Sequence, residues 1–153
     1  MSERPNIAVI GAGLMGHGIA QVFACAGSQV RVYDAVPASL DTLSARIESN
    51  LRDLDEPLDC LSLVSGHADL AEAVAGAAFV FEAVPEKLDL KRRIFADLER
   101  LAPLGAVVSS NTSVIPISSI AEGLASRARM LGTHWWNPPF LVPLVEVIGT
   151  PDT

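Results

Sequence analysis

The sequence predicts an α/β domain built on a doubly wound, mostly parallel sheet, and three observations carry that reading. Short, almost unbroken apolar runs alternate with helical segments along the whole chain. A glycine-rich turn joins the first run to the first helix. The 153 residues, 50% of them hydrophobic, are enough for one domain with a real core and show no repeat or linker.

The elements follow in order. Ile7–Ile10 is an apolar run closed by glycines, as a strand buried on both faces requires. Met15–Ala26 reads as a helix with Gly27 as its stop, and Gln29–Asp34 as a second strand. Pro37 and Ser39 open one long helix running to Leu54, with Leu40, Leu43, Ile47, Leu51 and Leu54 spaced by three and four; Pro57 breaks it. Leu61–Val64 is a short third strand, Asp69–Ala75 a short helix and Phe79–Glu82 the fourth strand. Leu88–Leu101 is amphipathic, with Leu90, Ile94, Leu98 and Leu101 on one side and Lys91, Arg92, Asp97 and Glu99 mostly off it. Val107–Ser110 is a strand and Ile117–Leu124 a short helix. The strands Met130–Thr133 and Leu144–Ile148 are separated by a loop holding Pro138, Pro139 and Pro143.

Composition excludes several partners. The formal net charge is −7, so no basic face is on offer to nucleic acid or to an anionic membrane. No apolar run reaches the roughly 18–20 residues that span a bilayer. Met1–Asn6 lacks the basic-then-apolar layout of a secretion signal. Cys25 and Cys60 sit in different apolar contexts without metal-ligand spacing and read as packed, reduced side chains. A cytoplasmic protein without a metal site is the expectation.

Between the first strand and helix lies Gly11-Ala12-Gly13-Leu14-Met15-Gly16, an intact G-x-G-x-x-G. Gly11 permits the tight turn, Gly13 the approach of a pyrophosphate, and Gly16 close helix–strand packing. The helix start offers unpaired N–H groups to phosphate oxygens. The second strand ends in Asp34, 23 residues after Gly11 and near the roughly 20 expected of an acid that accepts from ribose hydroxyls. That carboxylate repels a 2′-phosphate, and Ala35, Val36 and Pro37 supply no arginine to receive one. NAD is therefore favoured over NADP.

Ligands in such sheets sit at the carboxyl ends of the strands, and three of those ends carry polar clusters. They are Glu82–Glu86, Ser109–Ser113 and Thr133–Pro139. Of the three histidines, His17 reads as an incidental helix residue and His67 as a solvated turn residue. His134 stands where a substrate belongs, and histidine is the side chain that moves protons near neutral pH. Glu146 is the one charge in an apolar strand. It either faces solvent from an edge strand or partners His134, fixing its tautomer as the acid of a catalytic triad does.

Together these residues resemble the NAD-binding domain of the L-3-hydroxyacyl-CoA dehydrogenase family. The resemblance covers essentially the whole chain and rests on Gly11–Ala20, Asp34, Glu82–Glu86 with Lys91, Ser110–Ser113, His134–Pro138 and Pro143–Ile148. It implies a Rossmann-like fold and reversible hydride transfer between NAD and the 3-hydroxyl carbon of a substrate, with a place in fatty-acid metabolism. His134 is then the general base, Glu146 its orienting acid, and Ser113 the hydrogen-bond donor to the reacting oxygen. Gly11, Gly13, Leu14, Met15 and Gly16 cradle the pyrophosphate, and Asp34 holds the adenosine ribose. Ala83, Val84, Glu86, Lys91, Asn111, Ser113 and Asn137 complete the cofactor contacts, although Lys91 also fits the solvated face of its helix.

Two departures refine the expectation. Fatty-acyl members carry a longer, lysine-bearing helix–turn after the second strand, where it meets CoA. Here Arg52–Asp59 sets four acids against one base, which points to a shorter or non-thioester substrate, as in relatives acting on carnitine or sugar acids. The family also continues into a helical C-terminal domain that closes the cleft, supplies an asparagine and forms much of a dimer interface. The 153 residues are thus expected to be its cofactor-binding portion, exposing an apolar surface through which copies associate. A module that binds NAD(H) without turnover, needing a separate helical partner, is the alternative. The short hydroxyacid dehydrogenases that share the glycine loop are disfavoured by His134–Pro138 followed by Glu146.

Overall fold

A computed structural model describes residues 4–153, so Met1–Glu3 of the Met1–Asn6 segment, read as lacking the layout of a secretion signal, lie outside the described residues. Seven strands form one sheet in the order β3-β2-β1-β4-β5-β6-β7. β1 (Ile7–Ile10) is flanked by β2 (Val30–Tyr33) and β4 (Phe79–Glu82). β3 (Val64–His67) forms one edge, and β5 (Val107–Ser110), β6 (Met130–Trp135) and β7 (Val145–Ile148) continue to the other. Every neighbouring pair is parallel except β6 and β7. The chain leaves β6 through a proline-containing loop without a helix, so it returns beside itself antiparallel. The winding reverses between β1 and β4, and the crevice opens there, at the strand carboxyl ends.

β1 is buried on both faces. Ile7 and Val9 pack with Ile19 of α1 (Leu14–Cys25) and with Ile47 and Leu51 of α3 (Leu43–Asp53). Ala8 and Ile10 pack with Phe95 and Leu98 of α5 (Leu88–Leu101) and Ile120 of α6 (Ile117–Ile120). Each such aliphatic side chain contributes about 1.5–3 kcal/mol by leaving water, which is why a central strand has no polar residue to show.

Several boundaries differ from the sequence expectation. The segment from Pro37 is two helices, α2 (Pro37–Asp41) and α3, hinged at Thr42, whose hydroxyl donates back to the Ala38 carbonyl. The third strand begins at Val64, because Leu61–Leu63 lie in a 3-10 turn (Asp59–Leu63). His67 therefore ends an edge strand, with Ser65 Oγ 3.0 Å from its Nε2, and is not a residue of a solvated turn. α4 (Leu70–Val74) is capped by the Asp69 carboxylate, and α6 stops at Ile120 short of Leu124.

In α5 the buried face is Lys91, Phe95 and Leu98, while Leu101 is exposed. A lysine occupies a core position, so the apolar stripe misplaces the helix by about one residue. Cys60 is buried as expected, but Cys25, read as packed, is exposed at the end of α1, where the two free thiols meet at 3.0 Å, Sγ to Sγ. Burial, and then the neighbouring Cys60 thiol, push Cys25 up to about 12. Among the described residues no helix is long and apolar enough to cross a membrane.

Candidate cofactor cavity and strand-end site

The turn after β1 is shaped by backbone contacts. Gly11 has φ +103, and a Cβ there would meet the Ala83 carbonyl oxygen at 2.7 Å. A Cβ on Gly16 would lie 1.7 Å from the Gly11 oxygen. These two glycines let β1, the end of β4 and α1 close on one another. Gly13 is different: a Cβ would meet nothing within 4 Å, so its surroundings are open to a ligand. It is also the N-cap of α1 and makes no side-chain cap bond, which leaves the first-turn N–H groups free to hold an anion.

Asp34 follows β2 directly. Its Oδ2 accepts from Ala12 N–H at 2.7 Å and its Oδ1 from Val36 N–H at 2.8 Å, so both oxygens are fixed before any ribose arrives. Arg46 of α3 reaches under the loop, donating to the Ala12 carbonyl at 2.6 Å and the Ser39 carbonyl at 2.9 Å. Attention to the residues just after Asp34 misses this arginine, because a helix brings it back from twelve residues on. His17 is buried and its Nδ1–H donates to the Gly13 carbonyl at 2.9 Å. Burial, with help from the Arg46 charge, lowers its pKa against the opposing pull of that hydrogen bond. It therefore belongs to the structure of the loop.

These groups line a cavity of about 780 Å³. Gly11, Gly13, Leu14 and Met15 form one wall and Asp34 stands at the β2 end. Ala83, Val84, Glu86 and Lys91 come from the β4 side, and Asn111 and Ser113 from beyond β5. Gly16 lies behind the wall as packing. His134 and Asn137 are outside the lining, and Asn137 is exposed in the loop after β6. Sequence reasoning, which places Leu90 and Ile94 on one apolar face, misses that both line the cavity, Ile94 while also packing against the core. Their i, i+4 spacing was the available signal, and it marks a face without saying what that face meets. The fit to a dinucleotide is direct: an open glycine at a bare helix start, and a pre-oriented carboxylate at the far end. Among the described residues no group of three or more His, Cys, Asp or Glu side chains is placed to hold a metal.

Beneath the β4 end lies a buried ion pair that sequence reasoning also missed. Glu82 and Lys91 are 0% and 1% exposed and meet at 2.8 Å, so Lys91 is not on a solvated face. Glu82 also accepts from Val84 N–H at 2.7 Å and Ser110 Oγ–H at 2.6 Å. With every partner present the pair is tolerated; removing one member of such a pair costs about 3–5 kcal/mol. Lys91 Nζ also lies 3.3 Å from Glu86 Oε2.

At the neighbouring strand ends, His134 and Glu146 are direct cross-strand partners in the antiparallel β6–β7 pair. His134 Nδ1 donates to Glu146 Oε2 at 2.6 Å. Both sequence alternatives for Glu146 are therefore realised: its side chain is 51% exposed on the edge strand, and it holds the imidazole. Trp135 packs edge-on against Phe23 and Phe81, anchoring the strand, while its N–H donates to Asn111 Oδ1 at 2.9 Å. That bond ties the His134 strand to the loop that leads into Ser113. Val114, Trp136, Leu144 and Val147 are exposed apolar side chains, and the Trp136 ring lies 5.7 Å from the His134 ring, centroid to centroid.

A family model, 3-hydroxyacyl-CoA dehydrogenase, NAD binding domain, matches residues 6–153. The chain belongs to that family. Among this domain's relatives, a lambda-crystallin homolog of Bos taurus is 42% identical over 97% of the chain and 49% of its own length. An L-carnitine dehydrogenase/betainyl-CoA thioesterase of Ruegeria pomeroyi is 38% identical over 95% of the chain and 31% of its own length. The solved 3-hydroxybutyryl-CoA dehydrogenase of Escherichia coli superposes with a TM-score of 0.84 at 33% identity, covering 95% of the chain and 32% of that protein. The chain thus spans about half the length of the first of these relatives and about a third of the other two.

Proposed function

We propose that this NAD-binding domain serves a dehydrogenase that oxidises the 3-hydroxyl of a short 3-hydroxyacyl thioester or a similar 3-hydroxy acid, reversibly. The His134–Glu146 pair, closed at 2.6 Å beside the cofactor cavity, carries the reading. When bound, NAD supplies a two-electron acceptor for hydride. As hydride leaves the substrate carbon for that acceptor, His134 would take the hydroxyl proton and a carbonyl would form. Glu146 would balance the imidazolium and Ser113 would donate to the reacting oxygen, while Asn137, exposed outside the cavity lining, would need to turn inward to reach the cofactor. Asp34 selects NAD by facing the ribose hydroxyls with a carboxylate.

Substrate size follows from charge. Arg52–Asp59 is exposed apart from a half-buried Leu58 and carries four acids against one base, a poor surface for the phosphates of CoA. The relatives' names cover both substrate kinds: L-carnitine dehydrogenase/betainyl-CoA thioesterase for one and 3-hydroxybutyryl-CoA dehydrogenase for another, so the acidic surface is what favours the substrate without CoA. A role in fatty-acid metabolism stands or falls with the thioester. Oxidation of NADH by this chain is to be followed with acetoacetyl-CoA and with free 3-oxo acids. The same assay is repeated with a relative's helical domain added. Turnover restored by that domain supports the enzyme reading. NADH binding with no turnover in any arm favours a binding module, and failure to bind NADH at millimolar concentration overturns the cofactor assignment.

The apolar surface around Val114, Trp136, Leu144 and Val147 is the face we assign to self-association. Light scattering tests this, and a clean monomer at high concentration counts against it. Two free thiols suit the reducing cytoplasm, where we place the protein.

A further inference from the structure

Glu86 makes contacts unlike those of a ligand-binding carboxylate. Its Oε1 accepts from Thr112 Oγ–H at 2.5 Å, Ser113 N–H at 2.9 Å and Val114 N–H at 3.3 Å. Thr112 Oγ in turn accepts from Ile115 N–H at 2.9 Å. One oxygen thus gathers the backbone of the loop that presents Ser113. The other oxygen faces Lys91 Nζ at 3.3 Å, and that ammonium is itself anchored to Glu82 and to the Val84 carbonyl at 3.2 Å. Glu82 closes the chain of contacts on Ser110, the last residue of β5.

A carboxylate 38% exposed would ordinarily move freely. Here it is pinned from both sides. Partial burial works to raise the Glu86 pKa. The Thr112 hydroxyl, the Ser113 N–H and the Lys91 charge outweigh it, and the net direction is down. The group is charged wherever the protein is folded near neutral pH. Lys91 is 1% exposed with three oxygen partners, which leaves little of it for a cofactor phosphate.

We propose that Glu86 and Lys91 are positioning residues for the Ser113 loop: Glu86 clamps the 112–114 backbone, and Lys91, anchored on Glu82, holds Glu86 in place. The inference deepens the dehydrogenase reading and rests on it for the meaning of Ser113. Its geometry stands without a cofactor. It also places the effect at one end of the cavity. β5 lies three strand spacings from β2, roughly 14 Å at about 4.8 Å per spacing, so the Asp34 end is remote from the clamp.

The test uses the backbone amides of Ser113 and Val114, read by NMR on the chain itself, with NADH and ADP-ribose affinities measured in parallel. Glu86→Gln should shift both amides and speed their hydrogen exchange about threefold or more. Lys91→Met should disturb the same two amides although Lys91 does not touch them. The double variant should be no faster than about twofold beyond Glu86→Gln, since both changes act on one contact. NADH affinity should fall about threefold or more in each variant while ADP-ribose affinity stays within about twofold. Unperturbed Ser113 and Val114 amides in Lys91→Met, multiplied effects in the double variant, or an equal loss of ADP-ribose affinity would each overturn the proposal. If Lys91→Met does not fold, Glu82→Gln/Lys91→Met, which removes both buried charges, replaces it with the same expectations. Absence of NADH binding in the parent chain would sink the dehydrogenase reading and leave the amide result to decide the clamp.

Discussion

Between β1 and β2 the cavity is made of backbone: Gly11, Gly13, the bare first turn of α1, and Asp34 held by two main-chain N–H groups. From β4 to β7 the rest of the cavity wall and the strand-end site next to it are held by side chains: Lys91 on buried Glu82, Glu86 on the 112–114 loop, Asn111 on the Trp135 backbone, and, outside the lining, His134 on Glu146. The first region lies within one strand–helix–strand unit. The second draws each contact from a different element. Backbone sites fail by collision, because a Cβ has nowhere to go. Side-chain sites fail electrically, because a partner is left buried and unpaired. The two regions should therefore answer to different perturbations.

The largest expected effect belongs to the side-chain region. His134→Gln should lower turnover about 10²–10⁴-fold, the worth of a general base, in any form of the protein that turns over. NADH affinity should stay within about twofold. Loss of cofactor binding instead would make His134 structural. Next comes the backbone region. Gly16→Ala forces a Cβ onto the Gly11 carbonyl and should destabilise the fold by about 3 kcal/mol or more, read as a shift in the urea midpoint. Gly13→Ala meets open space and should move that midpoint by less than about 1 kcal/mol while weakening NADH. Equal effects at the two glycines would erase the distinction between packing and ligand approach.

Asp34→Asn should cost about 10–100-fold in NADH affinity by removing a charged acceptor, and NADPH should lose less. Parallel losses for the two cofactors would mean that Asp34 does not read the ribose. The smallest effect is a pH dependence. His17 has a folded pKa below its ordinary 6.5, so the unfolded chain binds the proton more readily. Stability should be unaffected by this group above pH 6.5 and should decline as the pH falls below it toward the lowered value. His17→Asn should flatten that decline between pH 7 and 5 in urea titrations, whereas Glu86 and Glu99, depressed from 4.5, act only below that window. An unchanged slope would remove His17 from the account.

The same contrast explains what could be read in advance. The glycine loop, Asp34 and the strand alternation are local: fixed spacings within a short stretch report on them. The His134–Glu146 contact was only half readable: the sequence offered it as one of two alternatives for Glu146, and the antiparallel β6–β7 register decided it. Lys91 was not readable. Its helix shows an apolar stripe at Leu90 and Ile94, and periodicity assigns such a stripe to the core. The helix is set instead by a charge whose partner lies on β4. Thr42 shows the same limit: a hinge between α2 and α3 leaves the apolar spacing nearly intact. β3 is an edge strand with Ser65 and Gly66 exposed and Val64 and His67 half-buried, too few apolar residues to mark its register.

Covalent order alone was enough for the fold class, the glycine turn after β1 and the acid that follows β2, because each depends on residues close in sequence or on a single period; it left Glu146 with two alternatives that only the β6–β7 pairing resolved. Folding alone assigned Glu82 to Lys91, Glu86 to the Ser113 backbone, Arg46 to the glycine loop and Leu90 to the cavity. Those depend on which elements the sheet order makes neighbours. A buried charge also states only that it has a partner, not where along the chain that partner lies.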